Sequence, residues 1–207
     1  MNKVLKYIVF FVLFLVNITM KPQNLAFYFE LIPEAQLPHL KPEMRKGMVG
    51  IYELGQRPAQ VPNLLGGTCV LDSLTNDYLS MHTSDVSTLS IKMIEQKSDS
   101  SSILAVIHTV KTVGTYDSSI NFFTNTWSKL DNNKYFSTPT HADFYKQNDT
   151  VSLEEFTKYC IPLIIKYEFE GNGIKATIDP EKYLPVEVFE KIKEGVNREF
   201  TLCSFAP

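Results

Sequence analysis

Between Asp72 and Val86, inside the stretch LDSLTNDYLSMHTSDVSTLSIKMI (Leu71–Ile94), the chain carries three aspartates, a histidine and a tyrosine. Side chains of these types do general acid–base work. Two carboxylates suffice to cleave a glycosidic bond, and a histidine beside a carboxylate moves protons near neutral pH. Asp72, Asp77 and His82 are therefore the candidate catalytic groups, with Asp117 a further carboxylate. Each also has a plainer reading. Asp72 or Ser73 stands ahead of Leu74 where a helix N-cap would stand, and Asp117 falls in an expected hairpin turn that favours aspartate for backbone reasons. His82, with Asp77, Tyr78 and Asp85 around it, fits the polar edge of a strand as well as it fits a site.

Other chemistries find less support. The four histidines, His39, His82, His108 and His141, form no HxH or HExxH pair, so no metal site is expected. His108 lies inside an apolar run, as a satisfied buried or interface histidine does. No GxSxG elbow occurs, and Gly66, Gly67 and Thr68 lack the lysine and the preceding strand of a phosphate loop, so no cofactor is expected. Cys69, Cys160 and Cys203 make an odd count without a CxxC. They read as small buried hydrophobes, with a Cys160–Cys203 bridge as the alternative. Aromatic residues are the remaining signal. Tyr116, Trp127, Tyr135, Phe136, Phe144 and Tyr145 gather around expected loops, where exposed rings would contact protein or glycan. Tyr116, Trp127 and Tyr78 are the binding candidates; alternatively Trp127 plugs the open end of a sheet.

The elements that must position these groups follow from periodicity. Leu25–Ile32 can open a first helix, and Pro42 suits the first position of a second over 42–54. There Met44, Met48, Ile51 and Tyr52 share one face, with Glu43, Arg45 and Lys46 on the other. Residues 56–67 are punctuated by proline and glycine and read as a linker. Beyond Tyr78 the period becomes two: an alternating strand from about Ser87, a second run over 103–112 and a third run over 120–125 give an antiparallel meander. The apolar continuity of ILAVI predicts a central strand covered on both faces.

After Trp127, residues 129–148 are polar and read as an exposed connection. Ser152 and Glu155 have capping-box spacing before a short helix over 153–160. Residues 163–170 and 174–178 alternate around Gly171, Asn172 and Gly173 as a hairpin. Pro185 leads a helix with Val188, Phe189, Ile192 and Val196 on one side, and 198–205 closes the chain as a strand. Strands in runs, not alternating with helices, indicate an α+β fold: an antiparallel β-meander with flanking helices, then a helix-hairpin-helix-strand second half.

The first twenty residues place Lys3 and Lys6 before an apolar run, 7–16, too short for a comfortable permanent span of about 20 residues. Residues 1–21 thus read as an export signal, or an anchor if retained, and 22–207 as one α+β domain divisible at 136/137. The segment holds three lysines and no acidic residue, so its removal takes the formal charge from -3 to -6. An acidic domain without a basic stripe repels phosphate backbones, and nucleic acid is not an expected partner.

The runs LDSLTNDYLSMHTSDVSTLSIKMI, AVIHTVKTVGTYDSSINFFTNTWSKL and SLEEFTKYCIPLIIKYEF, with the earlier IPEAQLPHLKPEMRKGMVGIYEL, together resemble the secreted Bacteroidales proteins of domain-of-unknown-function family 3256. The resemblance implies a periplasmic or outer-surface location in a gram-negative bacterium and carries no catalytic residues. Two functions stand at this point. One is a non-enzymatic exported binding or accessory module for envelope protein or glycan; the other is an envelope or polysaccharide hydrolase using Asp72 or Asp77 with His82.

Overall fold

The computed structural model describes residues 24–95 and 102–202. The expected export segment and Cys203, on which the alternative of a bridge to Cys160 rests, lie outside the described residues. Helix α1 (Leu25–Glu30) starts at Asn24, whose side chain accepts the Phe27 amide at 3.2 Å. Helix α2 (Pro42–Glu53) has proline in its first turn, where the missing N–H costs nothing. Six strands then form one antiparallel sheet in simple sequence order: β1 (Ala59–Pro62), β2 (Thr68–Leu74), β3 (Tyr78–Ser84), β4 (Ser87–Glu95), β5 (Ser102–Lys111) and β6 (Tyr116–Thr124).

The second half contributes α3 (Leu153–Tyr159), β7 (Lys166–Glu170), β8 (Gly173–Thr177), α4 (Val186–Ile192) and β9 (Glu199–Leu202), with β7-β8-β9 a separate three-stranded sheet. The fold is α+β. Its two cores lie on opposite faces of the large sheet and meet at β5. Leu104 and Val106 point to the core under α1 and α2, while Ile103, Ala105 and Ile107 point to the core of the second half. The unbroken apolar run of β5 is the consequence of that double coverage.

Several local expectations give way to longer-range pairing. The 56–67 segment is not structureless, because Ala59 and Val61 point inward and build β1. Pro62 confines it to the sheet edge, since proline donates no ladder hydrogen bond. Asp72 is not an N-cap but lies in β2, at the irregularity where the register with β3 shifts between Leu71 and Ser73. The polar stretch before Ser87 is itself β3, with Leu79, Met81 and Thr83 buried and His82 exposed. Asp117 lies in β6 opposite Val110 instead of in a turn. Residues 129–148 are not simply exposed: Phe136 and Phe144 are buried in the second core, anchoring short 3-10 turns at 132–134 and 141–144. The Ser152–Glu155 capping box forms as expected.

Arg45 is the largest correction on α2. It is fully buried, not on the polar face. Its guanidinium donates to the carbonyls of Phe29, at 3.4 Å, and of Ile32. Arg45 thus ties the last turn of α1 and the carbonyl just beyond it to α2 from within the core. Trp127 is also buried. It holds a left-handed backbone, φ 63, donates its indole N–H to the Tyr28 carbonyl at 3.0 Å and packs on Phe123.

Candidate functional site

Antiparallel register decides which side chains share a face. Pairing sets Leu89, His108 and Ser119 in one row across β4, β5 and β6, and Ile91, Val106 and Asn121 in the next. These two rows floor a cleft of about 360 Å³, walled by Ile32 and Gln36 from the loop after α1 and by Phe123, Trp127 and Lys129 at the end of β6. The volume is that of a small-molecule site, and the composition matches: an apolar floor with a few convergent polar groups. His108, Asn121, Gln36, Ser119 and Lys129 all offer donors, and among the described residues no carboxylate lines the cleft.

Burial holds His108 below the usual imidazole range, and the nearby His39 adds charge repulsion in the same direction. His108 is therefore neutral at pH 7. Below about pH 6.5 the unfolded chain takes up this proton before the folded one does, so stability falls as pH drops from there toward the lower folded value. His108→Gln is expected to flatten that acid slope by up to about 1 kcal/mol per pH unit, which thermal unfolding of both proteins between about pH 7.5 and pH 5 would measure.

The opposite face of the sheet carries the acid–base candidates. His82 Nδ1 lies 2.8 Å from Asp72 Oδ2, both side chains being exposed. A carboxylate on one imidazole nitrogen orients the ring and leaves Nε2 free to act as a base. Asp77 does not join them. It sits in the β2–β3 turn, where its carboxylate accepts from the Thr75 hydroxyl at 3.0 Å. Among the described residues no hydroxyl bonds to His82 Nε2, so the pair has an orienting carboxylate and a base without a nucleophile. Burial raises the Cys69 and Cys160 thiols above their usual range, which keeps both protonated and inert. Among the described residues no group of three or more histidines, cysteines and carboxylates gathers in a metal-holding arrangement.

The aromatic candidates separate by burial. Trp127, Phe136 and Phe144 are interior, Tyr78 is half-buried with its ring edge-on to Phe169, and Tyr116 alone of the three binding candidates is exposed. Trp127 is therefore a wall of the cleft with its indole held by Tyr28 and Phe123, and not an exposed ring.

The model of a protein family of unknown function, DUF3256, matches residues 17–203. The chain belongs to this DUF3256 family. A solved domain of an uncharacterized protein from Porphyromonas gingivalis W83 shares the fold, with a TM-score of 0.72 at 22% identity over 84% of this chain and 89% of that one. No curated protein matches. In this DUF3256 chain the cleft residues come from three different strands, a helix-connecting loop and the segment after β6. Of the cleft residues, His108 and Trp127 stand out in the sequence, but not as neighbours. The signal was present in the alternation of β5 and β6, which places His108 with Val106 and Leu104, and Ser119 with Asn121 and Phe123.

Proposed function

We propose that the chain is an exported, non-enzymatic binding or accessory protein that holds, in the cleft over β4–β6, a ligand with an apolar body and a carboxylate end. The observation that carries this is the lining: Leu89, Ile91 and Val106 offer apolar surface, while Lys129, Asn121 and His108 offer donors with no competing carboxylate among the described residues. An anion bound there gains Coulomb energy from Lys129 and leaves no buried acceptor unpaired. A fatty acyl anion and an apolar peptide C-terminus share this chemistry. A glycan fits it less well, since the rings of Phe123 and Trp127 at the cleft are buried instead of forming an exposed stacking platform. Export to the periplasm or outer surface is supported by the lysine-led apolar segment at the N-terminus.

Isothermal titration calorimetry with decanoate and decanol tests the reading. Decanoate is expected to bind more tightly than decanol, by about tenfold, as one favourable charge contact at a partly exposed site provides. Lys129→Glu should remove or reverse that preference. Ser119→Trp, which fills the cleft from an exposed edge position, should abolish binding of both. Equal binding of both ligands to the wild type and to both variants would dismiss the cleft.

A further inference from the structure

The meander's turns alternate ends, so the β1–β2, β3–β4 and β5–β6 turns lie together at one end of the sheet. All three expose large apolar side chains there. Leu65 is 77% and Val113 90% exposed, and Leu64, Val86 and Val110 are each about half exposed. We propose that these tips dock on a lipid bilayer surface, their apolar side chains reaching the boundary between headgroups and acyl chains.

The backbone amides of the β1–β2 tip are prepared for such a move. A peptide group entering a bilayer must have its polar atoms satisfied internally, because each one left unpaired costs several kcal/mol in hydrocarbon. In the β1–β2 turn every amide from Asn63 to Gly67 has an acceptor within the protein. Asn63 N donates to Gly67 O, Leu64 N to His39 O and Gly66 N to Asn63 O, while Leu65 N and Gly67 N both donate to Asn63 Oδ1 at 2.9 Å. The turn that presents two leucines to water thus needs no water for its own N–H groups. At the other tips Thr112 N donates to Thr115 O and Val86 N to Ser84 Oγ.

The tips are also fixed in place relative to one another. Asn63 Nδ2 donates to Thr83 O, and Lys111 N to Val86 O. At Gly114 a Cβ would stand 2.5 Å from the Lys182 carbonyl, so the β5–β6 tip is seated directly on the second half.

A bilayer suits this end better than a second protein does. Five separated side chains on protruding turns fall far short of the roughly 20–30 residues a side in a stable protein interface. A fluid bilayer surrounds each tip separately. The order along β5 and β6 also follows an interface: Val113 at the tip, then Lys111 opposite the half-exposed Tyr116, then the hydroxyl pair of Thr109 and Ser118. Exposed Asp85 and Lys111 flank the tips with both signs, which matches zwitterionic headgroups.

The test places tryptophan at the tip in the full chain and subtracts the wild-type emission of the buried Trp127, so that the difference reports the tip whatever the N-terminal segment does. With phosphatidylcholine vesicles, Leu65→Trp emission should shift to the blue and be quenched by brominated acyl chains. Adding Val113→Asp should weaken the partition roughly tenfold, as loss of one apolar anchor predicts. Emission that does not respond to vesicles would overturn the proposal, as would a blue shift without lipid that tracks dimerisation in sedimentation.

Discussion

Arg45→Ala is expected to cost the fold about 3–5 kcal/mol, the range for removing one partner of a buried charged contact while opening a cavity. For a domain of this size that lowers the thermal midpoint by roughly 10 °C. Two effects add. The Ile32 carbonyl loses its donor where water cannot replace it, the Phe29 carbonyl keeps only backbone amides, and the volume of a fully buried side chain is vacated between α1 and α2. Arg45→Met separates them. Methionine keeps most of the stem volume but offers no donor, so its cost should fall to about 2 kcal/mol, the penalty of a carbonyl left unpaired. Denaturant unfolding of the three proteins measures both increments. Equal stability of Arg45→Ala and wild type would show that the guanidinium carries none of the α1–α2 junction.

Trp127→Ala is expected to lose a similar amount, about 3–5 kcal/mol, by truncating a buried indole and removing its bond to Tyr28. Trp127→Phe should keep most of the contact with Phe123 and lose about 1 kcal/mol for the hydrogen bond, plus the smaller volume. Tyr116→Ala, on an exposed edge, should stay within about 0.5 kcal/mol. Paired melts distinguish a packing role from a contact role at each position. A Trp127→Ala protein as stable as wild type but deficient in ligand binding would restore the contact role and contradict the packing one.

What was legible in the sequence was local or strictly periodic. The capping box at Ser152 and Glu155 works within one helical turn, and the β7–β8 hairpin is announced by alternation around Gly171. The apolar run of β5 carried its own burial on both faces. What was not legible depended on partners distant in the chain. Arg45 looks like one charge among three on a polar face until the end of α1 is brought onto it. β1 was hidden because prolines that argue against a central strand are tolerated at an edge. Asp72 and His82 were named as candidates, but the pairing that joins them, and leaves Asp77 in its turn, is a property of the β2–β3 register with its irregularity between Leu71 and Ser73. The cleft required three strands in register at once, and no window of sequence contains it.

The central claim is that ligand chemistry belongs to the β4–β6 cleft and not to the Asp72–His82 face, and the two lie on opposite sides of one sheet. Amide chemical shifts of the folded protein, followed by NMR during a decanoate titration, read both sides in a single experiment. The account predicts saturable shifts at Leu89, Ile91, Val106, His108, Ser119, Asn121 and Lys129, with Asp72, Ser80 and His82 unmoved. Shifts centred on Asp72 and His82, or none at the cleft residues at saturating decanoate, would contradict it.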